Sequence, residues 1–168
     1  MNLGLTILKG RRSVRKYKDE EIPQEIIKAA LEAAHLAPTA RNLQPWLFGV
    51  IKDKEALKKI AETAPNGAFI KDANACFAVF GEKDQTYYLE DCSAATMQII
   101  LALWSFGVGS CWVAGDKKDY ADGIRKMMSV PEKYTLVSLI PAGYPEEINI
   151  PSKKDLKDLV FYETYSEN

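Results

Sequence analysis

An apolar stretch from Leu89 to Phe106 constrains this chain more than any other feature of its sequence. Alanine, leucine, isoleucine and methionine recur on most faces of the helix that the stretch predicts. A helix that is apolar nearly all round must be buried, either in the core of the protein or between two subunits. The sequence leaves both possibilities open. Gly107 follows the stretch directly and is suited to cap the C-terminal end of the helix.

Helical and extended patterns alternate along the rest of the chain. Helices are predicted at residues 2–9, from Pro23 to just before Pro38, at 54–63 and at 119–128, and strands at 47–51, 75–80, 110–114 and 134–142. Pro65-Asn66-Gly67 predicts a turn. No repeat or linker divides the 168 residues, which suffice for one hydrophobic core. We therefore expect a single domain over residues 1–168, an α+β or α/β sheet with helices on both faces.

Composition and charge argue against several classes of function. The chain has 22 Lys and Arg residues against 23 Asp and Glu residues, so no nucleic-acid partner is expected. No apolar run reaches the roughly 20 residues of a membrane-spanning helix, so no membrane partner is expected either. The cysteines, Cys76, Cys92 and Cys111, lie in apolar surroundings, and His35 is the only histidine. These residues predict neither disulfides nor a metal site, and they favour a cytoplasmic location.

Two basic segments lie near opposite ends of the chain. Arg11-Arg12-Ser13-Val14-Arg15 brings three guanidinium groups and a hydroxyl together after the first predicted helix. Guanidinium groups match phosphate oxygens, so the segment predicts an anion site, although a solvated basic loop is the alternative. Lys153 and Lys154 could join these arginines around one phosphate or lie on an exposed tail.

Two further segments could contact a ligand. The segment from Ala37 to Trp46 carries a hydroxyl, a guanidinium and two carboxamides between two prolines. Carboxamides offer a donor and an acceptor together, which suits the pyrimidine end of a flavin, but the segment could equally be a plain helix-to-strand connection. The glycines from Gly107 to Gly115 allow close backbone approach to a ligand, or simply cap a helix and end a strand. They match neither the dinucleotide fingerprint nor the P-loop.

Taken in this order, the segments resemble the family of nitroreductases that depend on flavin mononucleotide (FMN). The resemblance extends from Gly10 to about Val160. It is carried by an Arg-Arg-Ser-x-Arg motif, an Ala-Pro-Ser-x-x-Asn-x-Gln-Pro-Trp-like motif, a long apolar helix before Gly-x-Gly-Ser-Cys-Trp, and a Gly-Tyr-Pro followed by a basic pair. It implies an α+β fold with a central, mainly antiparallel sheet flanked by helices, in an intertwined homodimer with FMN at the interface.

The resemblance also implies roles for individual residues. The phosphate, ribityl chain and flavin edge would be held by Arg11, Arg12, Ser13 and Arg15, with Lys153 and Lys154 completing the phosphate site. The other subunit's flavin would be reached by Pro38, Thr39, Ala40 and Asn42, with Gln44 supporting that loop. Asn66 would touch the pyrimidine, and Val113, Ala114 and Gly115 would lie along the ring with backbone N–H groups near its N5. Independently of the resemblance, Trp112 is expected in the core or in the pocket wall. Arg11 or Arg12 would stabilise negative charge on the reduced flavin.

The activity implied is that of an oxidoreductase in which FMN carries the chemistry and no protein acid or base is required. NADH or NADPH would deliver hydride, and a small electron-poor acceptor such as a nitroaromatic or a quinone would take it in a ping-pong cycle. Thr39 stands where serine is usual, and lysines stand where an arginine is common. The chain is also too short for the helical excursion that covers the flavin in longer members. An FMN-binding protein with little turnover, and a flavin-destroying or dehalogenating relative, are the alternatives.

Overall fold

Five strands form one antiparallel sheet in the computed structural model, which describes residues 2–166. They are β1 (Trp46–Ile51), β2 (Ala75–Glu82), β3 (Gly109–Ser110), β4 (Val113–Ala114) and β5 (Tyr134–Gly143). β5 pairs with β2 along one side and with β3 and β4 along the other, and β2 pairs with β1. Because every ladder is antiparallel, the sheet type expected from the resemblance is confirmed.

Five α-helices flank this sheet within residues 2–166. They are α1 (Leu3–Gly10), α2 (Gln24–His35), α3 (Lys54–Thr63), α4 (Tyr88–Ser105) and α5 (Ala121–Met127). Each was predicted, but Pro23 caps α2 rather than forming its first residue, and α5 begins two residues later than expected. The predicted turn at Pro65 opens a short 3-10 segment, Pro65–Asp72. None of these helices has the length and apolar character needed to cross a membrane.

Both faces of the sheet are covered by helices because β2 is apolar on both sides. Phe77 and the residues two positions away from it pack against α2 and α4. Phe80 and its alternating neighbours pack against α3 and α5. Both phenylalanines are almost fully buried. Burying each side chain contributes roughly 1.5–3 kcal/mol, so the two layers of core hold helices on each face, as the sequence predicted.

The longest helix, α4, is buried on one side only within a single chain. The buried side consists of Asp91, Cys92, Ala95, Thr96, Ile99, Ile100 and Leu103. On the opposite side Met97 is 37% exposed, and Phe106 just beyond the helix is 49% exposed. The helix therefore belongs to the core through one face, and a subunit interface could involve only the other face.

A Schellman motif ends α4. The N–H of Val108 donates to the carbonyl of Leu103, and the N–H of Gly107 donates to the carbonyl of Trp104, both at 3.0 Å. Gly107 has a φ of 76°, which glycine adopts without strain. The predicted role of Gly107 in ending the helix is confirmed.

The single strand predicted at residues 110–114 is wrong, because it divides into β3 and β4 around Cys111 and Trp112. The N–H of Cys111 donates to the carbonyl of Pro141 on β5 at 3.3 Å. In a hydrogen-bonded antiparallel pair, each residue donates its N–H to the carbonyl of the other. Pro141 has no N–H to donate to the carbonyl of Cys111. Pro141 therefore interrupts the ladder, although the register is the same on both sides of the gap.

Two buried thiols make stability depend on alkaline pH. Burial raises the pKa of the thiols of Cys76 and Cys92 to about 12. Their neutral form is thus favoured in the folded chain, while in the unfolded chain they ionise near their ordinary pKa. The stabilisation is complete below that ordinary pKa and is lost as pH rises toward the folded value. We expect the free energy of unfolding to fall by roughly 1–2 kcal/mol between pH 8 and pH 9.5, measured by urea denaturation. The decrease should be smaller in Cys76→Ala, in which the thiols of Cys92 and Cys111 still contribute, and an unchanged slope in that variant would contradict the assignment.

Candidate functional site

Cationic side chains from both ends of the chain line one cavity of about 520 Å³. This arginine cavity is lined by Leu8, Lys9, Arg11, Arg12, Ser13, Arg15, Asn149, Pro151 and Lys153. Its lining contains three guanidinium groups, two ammonium groups and a hydroxyl, but no carboxylate. Such a donor set, without an opposing acidic group, suits a multiply charged anion such as a phosphate.

Backbone contacts bring the two ends of the chain to this cavity. Ser13 forms a parallel bridge with Ser110 of β3, and Tyr17 forms an antiparallel bridge with Pro145. The buried hydroxyl of Tyr17 donates to the carbonyl of Val14 at 2.7 Å and to that of Pro141 at 3.1 Å. The arginine motif is therefore held against the sheet edge, while the tail that carries Lys153 leaves the sheet beside it.

A second cavity of about 260 Å³ lies along the open edge of β4. This edge cavity is lined by Arg15, Asn66, Phe69, Cys111, Trp112, Val113, Ala114, Lys118 and Tyr120. Three aromatic side chains, a carboxamide and exposed backbone surround it, again without a carboxylate. The lining combines flat apolar surface with hydrogen-bonding groups, which suits a flat heterocycle.

The strand register leaves one backbone donor of β4 facing this cavity. Gly115 donates its N–H to the carbonyl of Val137 at 2.9 Å, so residues two positions away also point their N–H groups toward β5. The N–H of Ala114 therefore points away from β5, toward the open edge. The N–H of Gly115 is bonded within the sheet, so the N–H of Ala114 is the one in this segment that is directed to the open edge.

Arg15 lines both cavities and so marks the place where they adjoin. Its guanidinium carbon lies 5.8 Å from the centre of the Phe69 ring, a cation–π distance that restrains the side chain. Cys111 lies close by. Burial raises the pKa of the Cys111 thiol, and Arg15 offsets that rise only in part. Cys111 is therefore an uncharged wall residue at neutral pH and not a nucleophile.

The segment from Thr39 to Gln44 is a strained loop anchored by a buried carboxylate. Asp91 of α4 accepts a hydrogen bond from the Thr39 hydroxyl at 2.7 Å and from the N–H of Ala40 at 3.2 Å. The Thr39 hydroxyl in turn accepts from the N–H of Gln44 at 2.9 Å. The loop has positive φ values at Arg41, Asn42 and Gln44, where L-residues are strained. Asp91 and Thr39 together hold the loop in a conformation that it would otherwise leave.

Comparison with known proteins agrees with this geometry. The model of the family described as "Nitroreductase family" matches residues 8–73 and 61–144 of the chain. A Methanothermobacter thermautotrophicus protein, described provisionally as a NADH dehydrogenase/NAD(P)H nitroreductase, is 41% identical over 92% of this chain and 82% of its own length. The chain belongs to the nitroreductase family.

Solved structures place this nitroreductase-family chain among proteins of the same fold. An FMN-dependent nitroreductase from Clostridium difficile is 33% identical, with a TM-score of 0.83 over 98% of this chain and 99% of the other. A provisionally described nitroreductase from Desulfovibrio desulfuricans, solved in complex with FMN, is 25% identical with a TM-score of 0.88 over 99% of each chain. The family shows this chain to be an oxidoreductase of the nitroreductase type.

The site residues expected in this family member fall into two groups. Nine line one or both of the two cavities: Arg11, Arg12, Ser13, Arg15, Asn66, Trp112, Val113, Ala114 and Lys153. The others line neither cavity: Pro38, Thr39, Ala40, Asn42, Gln44, Gly115 and Lys154. Five of these seven, Pro38, Thr39, Ala40, Asn42 and Gln44, belong to the segment that the resemblance assigns to the other subunit's flavin.

Sequence reasoning missed several residues of this nitroreductase site. Lys9 and Asn149 line the arginine cavity, and Phe69, Lys118 and Tyr120 line the edge cavity. None of these residues stands in a recognisable motif, so only the fold could assign them. Asp91 was missed too, although a carboxylate within an otherwise apolar helix is a signal that could have drawn attention to it.

Proposed function

We propose that this chain binds FMN and works as a reductase that takes hydride from NADH or NADPH. One observation carries the proposal: Arg15 joins a carboxylate-free cationic cavity to an aromatic cavity with a free backbone N–H. FMN has a doubly charged phosphate at one end and a flat heterocycle at the other, and the order of the two cavities matches that shape.

The arginine cavity fits the phosphate end of FMN. Arg11 and Lys153 approach from opposite ends of the chain, and Ser13 supplies a hydroxyl donor. Charge-assisted hydrogen bonds to phosphate oxygens are worth about 1.5–3 kcal/mol each, so two or three of them account for firm binding without a covalent link. No group in the lining would repel the phosphate.

The edge cavity fits the ring. Trp112 and Phe69 provide apolar surface, Asn66 offers a carboxamide to the pyrimidine, and the N–H of Ala114 faces the cavity. FMN, when bound, supplies the hydride acceptor at N5 and passes the electrons on to the second substrate. The residues of the chain then have to bind and orient FMN and the substrates and to exclude water. None of them needs to act as an acid or a base.

Arg15 is a better candidate than Arg11 or Arg12 for stabilising negative charge on the ring. Arg12 donates from one guanidinium nitrogen to the carbonyls of Lys9 and Arg11, at 2.7 Å and 2.8 Å, and so caps the end of α1. Arg11 and Arg12 line only the arginine cavity, whereas Arg15 also lines the edge cavity. Arg15 is the guanidinium that can reach the pyrimidine end of the ring.

A homodimer is part of this proposal, as is the cytoplasmic location expected from the cysteines. The single chain has a surface of 10391 Å², whereas a compact monomer of 18.8 kDa would have about 8,300 Å². Large apolar side chains are exposed near both ends of the chain: Leu3 of α1 is 73% exposed, and Ile150 and Tyr162 of the tail are 73% and 84% exposed. Two copies would bury these side chains together and bring the loop anchored by Asp91 to the partner's site.

An anaerobic titration tests the proposed function. Purified protein is mixed with NADH or NADPH, and the absorbance of the bound flavin is followed before an acceptor is added. We expect a yellow protein that releases FMN on heating and is bleached by at least one of the two donors. Menadione or nitrofurazone should then restore the colour. A colourless protein without affinity for added FMN would refute the binding site, and bound FMN that neither donor bleaches would refute the reductase.

Two alternatives make different predictions. An FMN-binding protein without turnover would be yellow but would oxidise NADH and NADPH only very slowly in the presence of menadione. A dehalogenase is suggested by the iodotyrosine deiodinase of Thermotoga neapolitana, which is 27% identical over 88% of this chain and 91% of its own length. That alignment spans 172 positions, more than the aligned part of this chain can fill, so the relative has insertions that are absent here. The reductase is the better supported proposal, because relatives at 41% and 37% identity carry an NAD(P)H nitroreductase description.

Adjacent lysines in the tail test the phosphate site. Lys153 lines the arginine cavity and Lys154 does not. We expect Lys153→Ala to weaken FMN binding about tenfold because it removes one charge-assisted contact. Lys154→Ala should leave binding within about twofold, since exposed charges away from a site contribute little. Fluorescence titration of the apoprotein measures both. Riboflavin, which lacks the phosphate, should bind the two variants equally, and a reversed order of the two lysines would contradict the site.

A further inference from the structure

A third cavity, of about 230 Å³, adjoins the edge cavity and is rich in lysine. This lysine cavity is lined by Lys83, Lys117, Lys118, Asp119, Ala121, Asp122, Arg125, Tyr134 and Thr135. Lys118 lines both this cavity and the edge cavity, so the two lie side by side. A molecule placed against the edge cavity could therefore extend into the lysine cavity.

The charges in the lysine cavity do not cancel. Arg125 donates to Asp122 at 2.6 Å and 2.9 Å, so these two groups neutralise one another. Within residues 2–166 no carboxylate forms an ion pair with the ammonium groups of Lys83, Lys117 or Lys118. Asp119 is the only other acid in the lining. Three unpaired ammonium groups thus face one carboxylate, in a chain with an overall net charge of −1.

The backbone that carries these lysines is held in place. The N–H of Lys83 donates to the carbonyl of Lys133 at 2.9 Å, and the N–H of Lys118 donates to the carbonyl of Gly115 at 3.2 Å. Arg125 also donates to the carbonyl of Val130 at 2.7 Å and so fixes the wall beneath them. These contacts fix the backbone positions from which the three exposed lysine side chains reach an anion in the cavity.

We propose that the lysine cavity binds the phosphate groups of the reduced nicotinamide dinucleotide. The inference rests on the proposed function, in which the nicotinamide ring approaches FMN in the edge cavity. The dinucleotide carries a diphosphate a short distance from its nicotinamide ring, and NADPH carries a further phosphate. Lys118 lies between the two cavities, with Lys83 and Lys117 beyond it, so the cations follow the direction that the phosphates would take. The arrangement provides recognition of the donor without any dinucleotide-binding sequence motif.

The test compares two double variants that remove the same charge. Lys83→Gln/Lys117→Gln changes the lysine cavity and leaves every residue of the arginine and edge cavities intact. Lys58→Gln/Lys59→Gln is the matched control, with two exposed lysines removed from α3. Each protein is loaded with FMN and mixed anaerobically with NADH, NADPH or reduced nicotinamide mononucleotide in a stopped-flow instrument. The donor concentration for half-maximal flavin reduction and the limiting rate are both measured.

We expect the cavity variant to raise the half-saturating concentration of NADH and NADPH about tenfold, with limiting rates within about twofold of the unmodified protein. The half-saturating concentration of reduced nicotinamide mononucleotide, which lacks the diphosphate, should increase less. A larger shift for NADPH than for NADH would assign part of the cavity to the additional phosphate. Salt should weaken dinucleotide binding more in the unmodified protein than in the cavity variant.

The proposal is overturned if half-saturation changes by less than about twofold, or if the control variant shifts by the same amount, which would indicate the general field of the protein. A change in the reduction of the acceptor alone, without a change in flavin reduction by NADH or NADPH, would also overturn the proposal. Lys83→Glu provides a second variant with a stronger expected effect of the same sign. If the unmodified protein is not bleached by either donor, the proposed function itself fails, and that result is distinct from a failure of the lysine cavity.

Discussion

Replacing Asp91 by alanine is expected to lower the free energy of unfolding by about 3 kcal/mol, measured by urea denaturation. The buried carboxylate accepts from the Thr39 hydroxyl and from the N–H of Ala40, and its loss leaves both donors without a partner. Hydrogen bonds to a charged group are worth about 1.5–3 kcal/mol each, and relaxation of the loop recovers part of that sum. The positive φ values nearby then lose the contact that maintains them.

Glu90 provides the matched control for this prediction. It is the preceding acidic residue of α4 and is exposed, so Glu90→Ala should change stability by less than about 0.5 kcal/mol. A double-mutant cycle between Asp91→Ala and Thr39→Val should give a coupling energy of about 1–2 kcal/mol, because the two side chains share one hydrogen bond. Additive effects of the two substitutions would contradict the anchoring role of Asp91.

The same variant separates a structural from a functional effect. In the proposed homodimer the loop anchored by Asp91 contacts the partner's FMN, so Asp91→Ala should also weaken FMN binding under conditions where the protein remains folded. Asp91→Asn keeps one acceptor oxygen but turns an N–H₂ group toward a donor. Its affinity for FMN should therefore lie between that of the alanine variant and that of the unmodified protein. An Asp91→Ala protein that is less stable but binds FMN normally would restrict Asp91 to the fold.

The sequence predicted the periodic elements well because their information is local. The apolar run of β2 and the glycine after α4 each depend on neighbouring residues, and the structure has both. The break between β3 and β4 was missed because it depends on Pro141, about 30 positions away along the chain, which lacks the N–H that the ladder needs. The residues of a strand do not reveal that its partner strand lacks a backbone N–H donor.

The same contrast between local and long-range information applies to the residues of the candidate site. The arginine motif and Lys153 could be assigned to one anion site because motifs of known order suggested it, and the structure brings them together. Phe69, Lys118 and Tyr120 have no motif and enter the edge cavity only through the packing of α5 and the 3-10 segment against the sheet. The Thr39–Gln44 loop lines neither cavity in the single chain, and its contact with the flavin of a second copy stays a prediction.

Replacing Arg15 by alanine is expected to weaken FMN binding about 100-fold, a larger loss than at Lys153. Arg15 is the guanidinium that lines both cavities, so its removal takes away the single cation that can serve the phosphate end and the ring end together. Lys16→Ala is the matched control, because Lys16 is the next cation along the chain, lines neither cavity and pairs instead with Glu147 at 3.0 Å. Fluorescence titration of the two apoproteins with FMN measures the difference.

Riboflavin and the midpoint potential decide which part of FMN Arg15 contacts. If Arg15 contacts only the phosphate, Arg15→Ala will bind riboflavin as well as the unmodified protein does, as expected for Lys153→Ala. If it reaches the ring, riboflavin binding will weaken too, and the midpoint potential of the bound flavin will fall by about 30 mV, which for a two-electron couple corresponds to about 1.4 kcal/mol. Arg15→Lys should keep most of the potential, because the charge remains, but should lose affinity, because the planar fork of donors is gone. A potential that is unchanged in Arg15→Ala would remove Arg15 from the ring and leave the backbone N–H of Ala114 and the carboxamide of Asn66 as the donors proposed to face it.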